Sequence, residues 1–328
     1  MKACRNKITY LTFLLSLAIV LTHAVNLNVY TAVPPALKAL ELLVSNFRIL
    51  ALFAFFAISG FLFFQDLTPA GIKGKLLRRV RSLLIPYLLW NLIGYLYIVL
   101  LSILPGIGSH ITGAVEPLSL ESLIRNTLRS NYNVLWFLYN LMWYIAMTLL
   151  LYPLLKHKLP ALLLLAGACF PALNNGFLWY WIPYLAGAVL GLHGRDLVTR
   201  RYSLPARVLA AAGILTYLLS RGQSMTSGRD QLFFLLLLTA LLWIAGDFLA
   251  VDREPAWWMK LSFFTYCAHS LVLESVEKLL LLLIGDTPAG AVLDFLLAPM
   301  ITMLVLIAAA FLLKKIKPLW SLLSGGRG

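Results

Sequence analysis

Residues 11–28 read LTFLLSLAIVLTHAVNLN, an apolar run whose one ionisable side chain, His23, stands near its far end. About 20 mostly apolar residues are enough for a helix to cross a bilayer, so the run predicts a membrane helix. Ionisable residues inside such helices are costly and tend to be functional, and histidine is the commonest general base near neutral pH. The alternative is a neutral histidine that bonds to water or lipid headgroups at the membrane surface.

The composition of the whole chain agrees with a membrane protein. Of 328 residues, 61% are hydrophobic and 12% are charged, whereas soluble domains are roughly half apolar and a quarter charged. The positive-inside rule accounts for the net charge of +14, and no nucleic-acid-binding motif accompanies it, so no nucleic acid partner is expected. The three cysteines have no metal-site or disulfide spacing, and no two histidines have metal-ligand spacing on one helix, so no metal is expected either.

Apolar segments recur along the chain and predict an all-α fold, a polytopic transmembrane bundle of about ten spans in one domain over residues 1–328. The candidate spans are 8–25, 47–65, 82–104, 132–155, 159–173, 177–192, 205–220, 231–251, 261–284 and 289–313. Between the third and fourth spans, Ser119 is a candidate helix cap for a short surface helix.

The distribution of Lys and Arg predicts the orientation of these spans. With the N-terminus in the cytoplasm, every short inner loop is more basic than the outer loops and the inner side receives most of the 27 basic residues. Ten spans then leave both termini in the cytoplasm. The first span also resembles a signal peptide, but we expect it to be retained because nine further spans follow.

A basic segment leads into the third span. Residues 75–91 read KLLRRVRSLLIPYLLWN. Arg78 and Arg81 are three residues apart and share a helix face, where two guanidinium groups suit the binding of phosphates. Arg79 is expected to point elsewhere, toward lipid. The alternative is that all three arginines only anchor the helix at the inner surface.

Two further spans carry residues of interest. Ser59-Gly60 interrupts the aromatic run 47–65, where small residues allow close approach by another helix or by a ligand. In 262–278, SFFTYCAHSLVLESVEK, His269 and Glu277 fall on one helical row and Glu274 on the next. His269 is predicted to make either a hydrogen bond between helices or a substrate contact.

Together these segments resemble acyltransferase family 3, the integral-membrane O-acyltransferases that modify cell-envelope polysaccharides and similar acceptors. The resemblance rests on six motifs in order along the chain: IVLTHAV, FFAISGFLFF, RRVRSLLIPYLLW, VLWFLYNLMWYIAM, IPYLAGAVLG and SFFTYCAHSLVL. One position departs from the family pattern, because Thr12 stands where many members have an arginine eleven residues before the histidine. Arg48 is a candidate source of the missing positive charge.

The resemblance implies a mechanism and a location. A cytoplasmic acyl-CoA, with acetyl-CoA the first candidate, would donate its acyl group to a hydroxyl of an envelope carbohydrate or a lipid-linked acceptor, and no cofactor would stay bound. The implied catalytic residues are His23 as general base and Glu274 or Glu277 to orient it. The donor would contact Arg78, Arg81, Ser59 and Gly60, and the acceptor Arg48, Trp136, Tyr266 and His269. The protein would lie in the plasma (inner) membrane of a bacterial-type cell, with membrane lipids and envelope-glycan synthesis proteins as partners.

Two other functions fit the sequence. A transporter or flippase for a glycan or lipid-linked sugar would also need many spans and buried polar residues. A non-catalytic scaffold of an envelope-synthesis complex would explain the missing arginine at Thr12.

Overall fold

The computed structural model describes residues 2–24, 30–31, 33–103, 118–128, 133–220, 228–249 and 252–327, and all regular structure in them is helical. The α-helices are α1 (Lys2–Ala24), α2 (Pro35–Phe64), α3 (Ile72–Arg79), α4 (Ile85–Ile103), α5 (Leu120–Leu128), α6 (Trp136–Leu150), α7 (Tyr152–Leu155), α8 (Lys158–Ala172), α9 (Gly176–His193), α10 (Arg195–Thr199), α11 (Leu204–Ser220), α12 (Gly228–Ala245), α13 (Ser262–Ile284), α14 (Pro288–Leu313) and α15 (Lys317–Ser324).

Every predicted span contains a helix, and within the described residues five helical stretches are long and apolar enough to cross a membrane. They are Lys2–Ala24, Phe47–Phe64, Pro69–Ile103, Gln231–Phe248 and Pro288–Leu313. Three shorter apolar helices are Trp136–Leu150, Lys158–Ala172 and Leu204–Leu219. The protein is thus an all-helical, polytopic membrane protein, and ten crossings remain a prediction.

Two predicted elements differ in detail from the structure. The predicted span 132–155 is not one continuous helix, because α6 ends at Leu150 and α7 begins at Tyr152. Pro153 explains the break, since it lacks an amide hydrogen and its ring clashes with the carbonyl four residues earlier. The surface helix after the third span is α5, and Ser119 caps it by accepting a hydrogen bond from the Ser122 amide (3.1 Å).

Helices α2 and α9 make the closest crossing of the fold. A Cβ on Gly60 would lie 2.1 Å from the Tyr184 carbonyl oxygen, and one on Gly187 would lie 2.0 Å from that of Ala57. These contacts allow the two backbones to touch, as small residues do between membrane helices. The crossing fixes the aromatic face of α2 against α9, with Phe53 and Phe56 fully buried.

Helices α1 and α13 run in the same direction beside each other. The Thr12 hydroxyl, midway along α1, is 3.5 Å from that of Ser262 at the start of α13, and the His23 and His269 rings meet farther along both helices. Helix α2 packs against α1, where Leu15, Ile19, Ala51 and Ala54 belong to one apolar cluster. These three helices form most of the wall of the cavity described below.

A buried ion pair fixes the beginning of α1. Lys7 Nζ lies 2.8 Å from Asp247 Oδ1, and both side chains are nearly inaccessible to solvent. The second oxygen, Asp247 Oδ2, accepts a hydrogen bond from the Tyr202 amide (2.8 Å). A buried charge of this kind needs its partner, so the charge of Lys7 is paired with Asp247. Lys7 does not line the cavity.

A π-helical turn, Val80–Leu84, joins α3 to α4. Such a turn inserts an extra residue and rotates the preceding helix relative to the following one. The side of α3 that faces the bundle is therefore not the side that would face it if α3 and α4 formed one continuous α-helix.

Candidate active site

One cavity of about 680 Å³ lies between α1, α2, the first two turns of α6, α9 and α13. Along α1 its wall runs from Ile8 to His23, which is about 22 Å at 1.5 Å per residue. We call the part lined by Arg79, Lys260 and Arg327 the basic end, and the part lined by His23 and His269 the histidine end. The volume is in the range of small-molecule binding sites.

Two histidines face each other at the histidine end. The ring centroids of His23 and His269 are 5.0 Å apart. His269 is buried, and its Nδ1 lies 2.8 Å from the Tyr266 carbonyl oxygen and 3.2 Å from that of Thr265. Because a carbonyl only accepts hydrogen bonds, Nδ1 of neutral His269 carries the proton and its Nε2 is an acceptor. Among the residues that the structure describes, that Nε2 has no hydrogen-bond partner.

The residues predicted to contact the acceptor meet at this end of the cavity. Arg48, Trp136, Tyr266 and His269 all line its wall with His23, and the five residues come from four different helices. The Trp136 ring packs on Tyr180, with centroids 5.3 Å apart. The structure thus brings the general-base candidate and these four residues together, while their roles stay predictions.

The basic end has different arginines from those predicted. Arg79 lines the cavity, whereas Arg78 and Arg81 are exposed and lie outside its wall. The prediction that Arg79 points toward lipid is therefore wrong. The prediction placed Arg78 and Arg81 on one face of a continuous α-helix. The π-helical turn that begins after Arg79 breaks that regular spacing, so a different arginine reaches the cavity.

Ser59 and Gly60 have separate positions. Ser59 lines the cavity, and Gly60 packs against the Tyr184 carbonyl of α9. The geometry of Gly60 therefore agrees with the alternative of close helix packing.

The two candidate orienting carboxylates do not line the cavity. Glu274 is exposed and accepts a hydrogen bond from the Ser270 hydroxyl (2.7 Å). Glu277 is buried near Asp294 of α14, two helical turns beyond His269. The partner that the structure places beside His23 is His269.

Thr12, the position that departs from the family pattern, also lines the cavity. Its hydroxyl donates a hydrogen bond to the Ile8 carbonyl oxygen (2.8 Å), so this part of the wall is neutral. The positive charges around the cavity come from Arg48, Arg79, Lys260 and Arg327.

Comparison with known proteins identifies the fold's family. The acyltransferase domain model of acyltransferase family 3 matches residues 5–321, nearly the whole chain. The chain belongs to acyltransferase family 3. No curated protein and no solved structure matches it. As a member of this family, the protein is a multi-pass membrane acyltransferase.

The cavity residues that were not singled out from the sequence as site residues include Arg79, Phe137, Tyr180 and Arg327. Phe137 lies within the motif VLWFLYNLMWYIAM, and Tyr180 lies two residues before the motif IPYLAGAVLG. Both could therefore have been found from the motifs that carry the family resemblance. Arg79 is concealed by the π-helical turn. Arg327 lies more than 240 residues from Arg79 in sequence, so only the tertiary structure shows that they share a cavity.

Proposed function

We propose that this family 3 acyltransferase moves an acyl group, acetyl first among the candidates, from cytoplasmic acyl-CoA to a hydroxyl of an envelope carbohydrate or lipid-linked acceptor. The observation that carries the proposal is the single cavity that connects the basic end to the paired histidines. A donor with phosphates at one end and a thioester at the other matches that polarity. The proposal places the basic end at the cytoplasmic face of a bacterial-type inner membrane, in agreement with the positive-inside rule.

The proposed reaction is a direct transfer. His23 removes the proton from the acceptor hydroxyl while its oxygen attacks the thioester carbonyl. The tetrahedral intermediate then releases the CoA thiolate, which takes the proton back from the His23 imidazolium. Protons balance, and the products are an ester and free CoA thiol. Arg48, on the wall of the same end, supplies positive charge near the developing oxyanion.

His269 has a positioning role in this proposal. During turnover its Nε2, which has no partner among the described residues, would accept a hydrogen bond from one ring nitrogen of the neighbouring His23, so that the other nitrogen of His23 is presented to the acceptor. The carbonyls of Thr265 and Tyr266 fix the His269 tautomer, which in turn fixes that of His23.

We expect His269→Leu to lower kcat by about 10²-fold, the typical cost of misplacing a reacting group, with little change in the KM for acyl-CoA. His269→Gln keeps an acceptor atom near the position of Nε2 and should recover most of the loss. The measurement is steady-state kinetics with purified variants in liposomes. Equal activity of the Leu and Gln variants would contradict the positioning role.

Transfer of a labelled acyl group tests the proposed function against transport. Proteoliposomes receive acetyl-CoA with a radioactive acetyl group on one side and an envelope-glycan extract on the other. We expect label to become covalently attached to the glycan, in an alkali-labile ester, when the donor is on the side of Arg79. Movement of glycan across the membrane without any attached label would instead show a transporter.

A further inference from the structure

The chain reverses after α15 to bring Arg327 into the cavity. Gly325 and Gly326 both have positive φ (64° and 72°), and the Gly326 amide donates a hydrogen bond to the Ser321 carbonyl oxygen (2.8 Å). This left-handed turn suits glycine because it has no Cβ. The turn sends Arg327 back toward the bundle, where it lines the basic end.

The reversed segment is docked on the same π-helical turn that places Arg79. A Cβ on Gly325 would lie 2.6 Å from the Ser82 carbonyl oxygen, so the two backbones are in direct contact. Arg327 then packs over the Phe263 ring, with its guanidinium carbon 4.0 Å from the ring centroid. Because Arg79 and Arg327 line one end of one cavity from two docked segments, their charges are held near each other.

These two arginines differ from the other basic residue at this end. Lys260 forms an ion pair with Glu254, 3.2 Å apart. Within the described part of the chain, neither Arg79 nor Arg327 forms an ion pair with a carboxylate. Burial and the nearby Arg79 charge lower the pKa of Arg327 to about 10, so the Arg327 guanidinium group is still charged at neutral pH. Two unneutralised like charges beside a cavity are unfavourable unless an anion lies between them.

We propose that Arg79 and Arg327 together bind a phosphoryl group, and that in the working enzyme this group belongs to the nucleotide portion of acyl-CoA. The guanidinium fork suits phosphate oxygens, and the Gly325-Gly326 turn positions the second fork. The inference rests on the proposed function for the identity of the donor. It adds a donor-binding residue from outside the basic segment 73–81.

The test compares two ligands that differ in their phosphates. Binding of CoA and of S-acetylpantetheine, which has no phosphate, is measured by titration calorimetry with protein in zwitterionic nanodiscs. Arg327→Ala should weaken CoA binding about 10- to 100-fold, the worth of a hydrogen bond to a charged group, and leave S-acetylpantetheine binding unchanged. Arg327→Lys should fall between the wild type and the alanine variant. Lys317→Ala, which removes an exposed positive charge from the same segment, is the matched control and should not change either affinity.

Several outcomes would overturn the inference. Equal CoA affinity in the wild type and Arg327→Ala would exclude Arg327 from the site while leaving the proposed function intact. Equal weakening for both ligands would mean that Arg327 only stabilises the fold. Failure of the wild type to bind CoA would reject the proposed function itself. A repeat with anionic-lipid nanodiscs separates the sources of phosphoryl: if Arg327→Ala changes lipid binding and not CoA binding, the site holds a lipid headgroup.

Discussion

His23→Ala lowers the rate of acyl transfer by about 10²–10⁴-fold in this account, which is the usual contribution of a positioned general base. The loss should be in kcat, because the proposed phosphate site at the basic end is about 22 Å from His23 along α1. CoA affinity measured without acceptor should therefore stay unchanged. The measurement is steady-state turnover of acetyl-CoA by purified protein in liposomes.

The matched control is His157→Ala. His157 is exposed and lies outside the cavity wall, so its loss tests for any general effect of removing a histidine. We expect the control to keep wild-type turnover. A His23→Ala variant with more than about a tenth of that turnover would reject His23 as the base.

Gly60→Ala lowers the thermal stability of the protein in detergent. The added Cβ would come within 2.1 Å of the Tyr184 carbonyl oxygen, so α2 and α9 must separate. Overpacking of this kind costs about 1–3 kcal/mol, which for a chain of 328 residues corresponds to a fall in Tm of roughly 1–5 °C. The measurement is thermal unfolding followed by the fluorescence of purified protein.

Gly167→Ala provides the comparison for that experiment. Gly167 lies within α8, and a Cβ there would meet nothing within 4 Å. Replacing a helical glycine by alanine at such a site is expected to be neutral or to stabilise by about 0.5–1 kcal/mol. An unchanged Tm in Gly60→Ala with weaker CoA binding would instead favour a donor contact at Gly60.

Much of the fold could be predicted because hydropathy specifies membrane helices directly. Each apolar run contains a helix, as predicted. Ser119 is the predicted cap of the short surface helix, because a serine stands just before residues with helical spacing. The break before α7 was missed, although Pro153 was visible in the sequence, because the apolar run continues across it.

The residues predicted for the histidine end share one part of the cavity, whereas Arg78 and Arg81, predicted for the basic end, lie outside the cavity wall, and the roles of all of them stay predictions. The residues at the histidine end all belong to regular helices, so the position of each sequence motif also indicates where its side chain lies; they are His23, Arg48, Trp136, Tyr266 and His269. The basic end depends on irregular backbone, for which the sequence has no clear pattern. A π-helical turn selects Arg79 over its neighbours, and a turn at Gly325-Gly326 brings in Arg327.

Release of free CoA thiol from acetyl-CoA tests the central claim most directly. Purified protein in liposomes is supplied with acetyl-CoA and a crude envelope-glycan extract, with His23→Ala in parallel. The account predicts thiol release that requires the extract and falls by about 10²-fold or more in the variant. Release that is independent of acceptor or equal in both proteins, or no binding of CoA at all, would contradict it.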